Sequence, residues 1–355
     1  MNILIIKLSA IGDVIHTLPA LNALRSHYPK AHITWMIEEA AYPLIQGHRA
    51  LNRILLSKRK RWIKGIRGSS RRQSLKEAAD FIKELRDTRY DLIIDFQQLL
   101  KSGVPAAIAR GIRKIGYGKG MEHQEHSYVF LNERIPAVSM EIHALTRNMM
   151  LLKSLGIEAD DIVFDIPVNE HDRYMTEELL SRHGVKAYEP LVAVNPMAKW
   201  ETKLWSAEKF SELADRLTEM YGVKVVFTGG PEDRDTVEEI MARMTHSAVN
   251  LAGETSLKML AALYEKTAYL ISTDTGPMHL AAAMGTPVTA LFGPTAPWRT
   301  GPFGSGHQIV RAGLKCSPCF KRRCRTAECM ARISVADVLE GVRKIRISRG
   351  LFLVK

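Results

Sequence analysis

No stretch of the chain approaches the roughly 20 uninterrupted apolar residues that a membrane-spanning helix requires, so an integral membrane protein is not expected. A peripheral contact with a membrane face stays open. Only four cysteines are present, all between Cys316 and Cys329, and nothing points to export. A disulfide scaffold is thereby excluded, and a reduced, cytoplasmic protein is expected. The opening MNILIIKLSAIGDVIHTLPAL has no basic region ahead of its apolar run and carries Asp13 and His16 inside it. It predicts a first strand and helix, not a signal peptide. No repeat of fixed short period is visible, which excludes a solenoid.

What is present suits a globular protein of more than one domain. The chain has 355 residues, 46% hydrophobic and 25% charged, a balance that supports real cores and argues against disorder. Two domains of ordinary size are the first expectation. The formal net charge of +12 asks for an anionic partner: nucleic acid, a membrane surface or a phosphorylated substrate.

Short β-rich runs alternate with amphipathic stretches. NILIIKL is followed by a helix through 18–24 and by HITWMIEE, and later DLIIDF precedes LLKSGVPAAIAR. A second series opens at LVAVNP, continues through a helix over 207–221 and KVVFTGG, and returns in AYLISTDTG and PVTALFGP. Two such βα series predict an α/β protein with two Rossmann-like domains facing each other across a cleft. The expected boundaries are 1–168 and 191–333, joined by a linker at 169–190 whose segment has proline near each end and polar residues around one short helix.

The loop Ser9-Ala10-Ile11-Gly12-Asp13 leaves the first strand and enters a helix, which places it at the carboxyl edge of a sheet, where open α/β sheets bind ligands. Asp13 is either a first-turn or capping acid of that helix or a general base. The run from Ser272 to Asp274, Thr275, Gly276 and His279 is a strand end, a small turn and a helix start, whose backbone N–H groups suit a diphosphate. A plain strand-to-helix turn would look similar. In NPMAKWETKLW, Lys199 and Lys203 lie near the mouth of a strand and could neutralise a nucleotide diphosphate, or be solvated. Glu232, in GGPEDRD, could meet a nucleoside hydroxyl or cap the next helix.

Segment 58–72, KRKRWIKGIRGSSRR, holds eight basic residues and no acid around Trp62. Such density is either a solvated loop or a docking surface for a phosphorylated acceptor or acidic lipid, with nucleic acid as a third candidate. The spacing Cys316, Cys319, Cys324, Cys329 could enclose a structural zinc or iron, or the four could be reduced packing residues or form disulfides after purification.

Together these motifs resemble the lipopolysaccharide heptosyltransferases of glycosyltransferase family 9, within the inverting GT-B transferases. The resemblance rests on KLSAIGDVIHTLPAL, RYDLIIDFQQLLKSG, NPMAKWETKLW and STDTGPMHLAAAMGTPVTALFGPT, and covers nearly the whole chain. It implies an N-terminal acceptor domain, a C-terminal nucleotide-sugar domain and a last segment, 334–355, whose helix near 335–345 returns toward the first domain. By position it makes Asp13 the catalytic base and Lys203 the phosphate-binding lysine. It gives the nucleotide-sugar site to Met197, Ala198, Lys199, Lys203, Glu232, Asp274, Thr275, Gly276 and His279. Met197 and Ala198 stand where heptosyltransferase I has hydroxyl side chains. Arg61, Lys64, Arg67 and Lys101 fall to the acceptor.

The implied reaction moves heptose from ADP-heptose to the Kdo/heptose inner core of lipopolysaccharide, with no cofactor for catalysis. The implied partners are ADP-heptose, Kdo-lipid A or another inner-core acceptor, and the inner face of the inner membrane, without nucleic acid. Two alternatives stand beside this reading. One is a transferase of the same fold with another sugar nucleotide or acceptor. The other is a non-catalytic nucleic-acid-binding protein with a metal-bound cysteine knuckle.

Overall fold

A computed structural model of the chain describes residues 1–122, 125–159 and 161–348. It divides after Pro167 into two compact units. The first contains strands β1 (Asn2–Ile6), β2 (His32–Glu38), β3 (Arg53–Ser57), β4 (Arg89–Asp95), β5 (Arg110–Tyr117) and β6 (Glu133–Ile135). Its helices are α1 (Ile11–Ile15), α2 (Leu18–His27), α3 (Arg59–Ile66), α4 (Arg71–Arg86), α5 (Leu100–Ile108) and α6 (Ala144–Lys153). The strands form one parallel sheet in the order β3-β2-β1-β4-β5-β6. The central strand reads NILII, and Ile3 through Ile6 have no exposed surface. A strand covered on both faces needs such an unbroken apolar run.

The second unit contains β7 (Leu191–Asn195), β8 (Lys224–Phe227), β9 (Val249–Asn250), β10 (Tyr269–Thr273), β11 (Val288–Leu291) and β12 (Gln308–Val310). Its helices are α7 (Glu170–Arg182), α8 (Ala207–Tyr221), α9 (Arg234–Met241), α10 (Leu257–Lys266), α11 (Gly276–Ala283), α12 (Pro297–Thr300), α13 (Glu328–Ala331) and α14 (Val335–Ser348). The sheet order is β12-β11-β10-β7-β8-β9. Counted within its own unit, this is the same winding as in the first: the strand that opens the unit is central, flanked by the second and the fourth. That is the Rossmann order, and its ligand-binding switch point lies where the winding reverses, between the first and fourth strands. The switch points are therefore β1/β4 and β7/β10.

Local chemistry sets the helix ends. Ser206 accepts from the Lys209 N–H to start α8, and Gly222, with φ of +61°, ends it in the left-handed region that favours glycine. Asn169 accepts from the Asp172 N–H at 2.9 Å to start α7.

Segment 169–190, expected as a linker, is mostly this helix. It packs on α10 through the Arg173–Glu265 pair at 3.0 Å and the Lys266–Glu177 pair at 2.6 Å. The last helix, expected to return toward the first domain, packs within the second unit on α8, β11 and β12, burying Val338, Val342 and Ile345. Residues 349–355 of that expected segment lie outside the described residues. Among the described residues no helix is long and apolar enough to cross a membrane.

Candidate functional site

In the first unit the switch point gathers residues from the loops after β1 and β4. Asp95, the last residue of β4, is fully buried. Its Oδ1 accepts from the N–H groups of Gln97 (2.9 Å) and Gln98 (3.0 Å), and its Oδ2 accepts from the Ser102 hydroxyl (2.9 Å). Burial pushes this carboxyl above the ordinary range, and the three donors oppose that shift. The turn so fixed aims Gln97 at the neighbouring loop, where its Oε1 accepts from the N–H groups of Leu8 and Ser9, each at 3.0 Å. Lys101 Nζ reaches the Ser9 hydroxyl from α5. The loop carrying Asp13 is thus held from β4 and α5.

Asp13 itself is half-buried in α1. Its Oδ2 accepts from the Ala10 N–H at 3.0 Å, so the helix-start role expected for an acid here is real. Among the described residues the carboxylate meets no other hydrogen-bond donor, which leaves its second oxygen for a ligand. A pocket of about 160 Å³ surrounds it, lined by Lys7, His16, Gln97, Arg147 and Asn148 among others.

Lys7 is buried and donates to the Phe96 carbonyl at 2.9 Å. Burial holds its amine below the usual lysine range, although Asp13 and Asp95 pull the other way. Burial likewise lowers Lys101, again against the pull of Glu38 and Asp13. The pocket therefore sets Asp13 among the basic side chains of Lys7 and Arg147, with the exposed carboxylate of Glu122 also on its lining.

The sequence reading did not single out Lys7, Asp95, Gln97 or Arg147. For the first two a signal exists: each is a charged residue directly after an apolar run, ILII before Lys7 and LII before Asp95, at the carboxyl end of a parallel strand. Gln97 and Arg147 carry no such mark, since their roles depend on tertiary neighbours.

In the second unit the loops after β7 and β10 meet in a different way. Lys203 Nζ lies 2.6 Å from Asp274 Oδ2 and donates to the Asp274 carbonyl at 3.2 Å. The Lys203 ammonium also stands 4.6 Å from the centre of the Trp200 ring. The Thr295 hydroxyl donates to the same Asp274 oxygen at 2.6 Å. Thr273 Oγ1 donates to the Met197 carbonyl at 2.9 Å, which ties the two loops together.

Thr275 is the N-cap of α11, Gly276 opens it, and His279 is buried one turn on. Met197 and Ala198 are half-buried and Lys199 is exposed in the same loop. Glu232 is exposed after β8 and does not cap the next helix. Asp233 accepts from the Gly230 N–H there, at 2.7 Å.

Segment 58–72 is not a loop. It forms α3 and the start of α4, because Trp62 is buried against Phe81, their ring centres 5.2 Å apart, and gives the run an anchored face. The self-repulsion of the run is relieved by acids from elsewhere. Buried Glu38 pairs with Arg59 at 3.2 Å and with Lys60 at 3.4 Å, and Glu77 pairs with Arg61 at 3.2 Å. Lys64 and Arg67 are exposed.

The structure gives the possible zinc or iron centre no support. All four cysteines are free thiols around one small pocket, yet among the described residues no group of three or more His, Cys, Asp or Glu is placed to hold a metal ion. Cys316 and Cys324 are exposed, and the Cys324 thiol turns to the Thr326 hydroxyl at 3.9 Å. Burial, with Cys319 and Cys316 nearby, raises the Cys329 thiol above its ordinary range.

Two Rossmann-wound units, one presenting an isolated acid and the other a lysine beside a helix start, make this an α/β enzyme of the GT-B glycosyltransferase class. Residues 78–330 match glycosyltransferase family 9 (heptosyltransferase), and the chain belongs to that family. It is 29% identical to lipopolysaccharide heptosyltransferase 1 of Pseudomonas aeruginosa over 91% of this chain and 87% of that one. It is 30% identical to lipopolysaccharide heptosyltransferase 3 of Escherichia coli, over 80% of each. The E. coli heptosyltransferase WaaC, solved with ADP, superposes with a TM-score of 0.79 at 23% identity, covering 97% of this chain and all of that one. The same protein has also been solved with ADP-2-deoxy-2-fluoro heptose. The chain is a heptosyltransferase of lipopolysaccharide core biosynthesis, and the nucleic-acid-binding reading falls away.

Proposed function

We propose that this chain moves heptose from ADP-heptose to the Kdo or heptose inner core of lipopolysaccharide, by direct displacement at the anomeric carbon with inversion. The observation that carries the proposal is Asp13: a half-buried carboxylate at a switch point, held by one oxygen and open at the other. A sugar hydroxyl is a weak nucleophile at neutral pH and must lose its proton as its bond to the anomeric carbon forms. Asp13 takes that proton. The bond from the anomeric carbon to the diphosphate oxygen breaks, and ADP leaves with the negative charge.

Lys203 and the start of α11 at Thr275 and Gly276 stabilise that charge. The lysine sits on Asp274 at 2.6 Å, so the diphosphate binds by sharing or taking over a cation already in place. Met197, Ala198, Lys199, Glu232, Asp274 and His279 complete the donor site in this reading. Lys101, Arg61, Lys64 and Arg67 receive the carboxylates and phosphates of the acceptor. The balance of the displacement calls for no cofactor. The exposed cations of α3 and α4 and an acceptor carried on lipid support a peripheral position at the inner face of the inner membrane as part of this reading.

A donor screen against Kdo-lipid A, reading released nucleoside diphosphate, tests the proposal. ADP-heptose is expected to give the fastest release. A faster rate with another nucleotide sugar, or release only with an acceptor lacking Kdo and heptose, would replace it.

A further inference from the structure

The Asp13 pocket shares a wall with a second, larger cavity. Leu99 lines both. From there a groove of about 610 Å³ runs between α5 and the α3–α4 pair, over Met36 of β2. One wall is Trp62, Phe81 and Ile82, and the other is Leu100, Val104 and Ile108.

This surface is left uncovered at a cost. Leu100 is 46%, Val104 44% and Ile82 40% exposed, and neighbouring apolar side chains open to water usually mark a binding surface. Its polar members are Ser57, Arg59, Lys101 and Glu125; Glu125 accepts from the Leu100 N–H at 3.0 Å, and Lys101 is the residue that reaches Ser9 beside the acid. Outside, α3 adds Arg61 and Lys64, both exposed. An apolar slot that opens from a cation-rimmed acid pocket fits an amphiphile with an anionic head and a hydrocarbon tail.

We propose that this groove holds one acyl chain of the lipid-linked acceptor while the acceptor's anionic sugar head lies at Asp13. The inference rests on the acceptor reading above and adds a tail site to it. The head is steered by charge, and the chain adds affinity with length. Each methylene buried is worth about 0.8 kcal/mol, close to a fourfold gain, so even a few buried methylenes lower the KM of an acylated acceptor by more than tenfold. Those contacts are present before and during reaction alike, which confines their effect to KM.

Two measurements test the tail site. In the first, KM is compared for acylated and fully deacylated Kdo acceptors. Wild-type protein is expected to favour the acylated form at least tenfold. Val104→Asp, an exposed change on α5, is expected to bring the two KM values together, whereas Val104→Ile keeps them apart. An undiminished preference in Val104→Asp overturns the inference.

The second measurement does not need turnover. An anionic lipid brominated along its acyl chain is expected to quench Trp62 fluorescence, the signal being assigned by its loss in Trp62→Phe. Absence of Trp62 quenching overturns the tail site even if the enzyme is active. If neither acceptor is used with ADP-heptose, the functional reading fails, and the quenching result alone decides whether the groove takes an acyl chain. Equal loss of binding by Val104→Asp to vesicles that lack the acceptor would assign the groove to bilayer contact instead, and likewise overturn the inference.

Discussion

The two units wind six strands in the same order, yet they arrange charge at their switch points in opposite ways. At β1/β4 no salt bridge joins Asp13 to a cation among the described residues, although Lys7 and Arg147 line the same pocket. Lys7 donates to the Phe96 carbonyl and Lys101 to the Ser9 hydroxyl, and among the described residues the Asp13 carboxylate accepts only from the Ala10 N–H of its own helix start. At β7/β10 acid and cation are closed on one another, Lys203 on Asp274 at 2.6 Å with Thr295 behind. A carboxylate that is to accept a proton is best left without a salt-bridge partner, since a close cation would lower its basicity. A lysine that is to receive a diphosphate gains from being held in place beforehand, because its side-chain entropy is already spent. In the proposed mechanism the same fold would then present a base on one sheet edge and an anion receptor on the other.

The largest expected effect breaks the first half of that comparison. Asp13→Asn keeps size and capping ability, as Asn and Asp cap about equally well. Turnover should fall by about 10² to 10⁴, while thermal unfolding stays near wild type. A kcat within a few-fold of wild type would return Asp13 to the role of helix-start residue alone and move the base elsewhere.

Next in size is Lys203→Ala, which acts on the second half. Hydrogen bonds to charged groups contribute about 1.5 to 3 kcal/mol, so ADP should bind on the order of ten- to a hundredfold more weakly in a calorimetric titration. Unaltered ADP affinity would show that the Lys203–Asp274 pair only ties the two loops.

The triple change of Arg61, Lys64 and Arg67 to Gln sharpens the comparison within the first unit. Exposed charges contribute about 0.2 to 1 kcal/mol each, which together predicts an acceptor KM raised on the order of tenfold at unchanged ADP affinity. Added salt should mimic it in the wild-type protein. If KM does not move, α3 contributes no acceptor contact.

The smallest effect belongs to a pair remote from either switch point. The Arg53 guanidinium, in two 2.8 Å hydrogen bonds, holds Asp87 below the ordinary carboxylate range. A carboxyl lowered in the folded state stabilises above its unfolded pKa, and that contribution is lost as pH falls through the lower folded value. Asp87→Asn should therefore cost less than about 1 kcal/mol at neutral pH. The gap between variant and wild type in urea unfolding should close below about pH 4, the unfolded carboxyl value. A gap that widened in acid would contradict the sign.

Much of the architecture is legible from the sequence, because buried parallel strands leave apolar runs such as NILII, LVAVN and YLIST, and helix starts leave Ser or Asn. What escaped is short or edge-located. β6, β9 and β12 have two or three residues each, too few for a period-two pattern to show. The sequence leaves the basic run open between a solvated loop and a docking surface, because the acids that stabilise its helices, Glu38 and Glu77, lie elsewhere in the chain. Asp13, Lys203 and Asp274 could be picked out by their places after strands. That Lys203 and Asp274 pair, and that Gln97 clamps the Asp13 loop, depends on the sheet order and is invisible one residue at a time. The cysteine spacing allows a metal, but spacing does not give direction: the four thiols border one pocket, yet among the described residues no three are placed to hold an ion.

The division of labour between the two switch points is tested most directly by measuring ADP affinity for Asp13→Asn and Lys203→Ala side by side, under one buffer and salt. The account predicts that Asp13→Asn binds ADP as wild type does while losing turnover, and that Lys203→Ala loses ADP affinity by tenfold or more. Weakened ADP binding in Asp13→Asn together with wild-type binding in Lys203→Ala would contradict it.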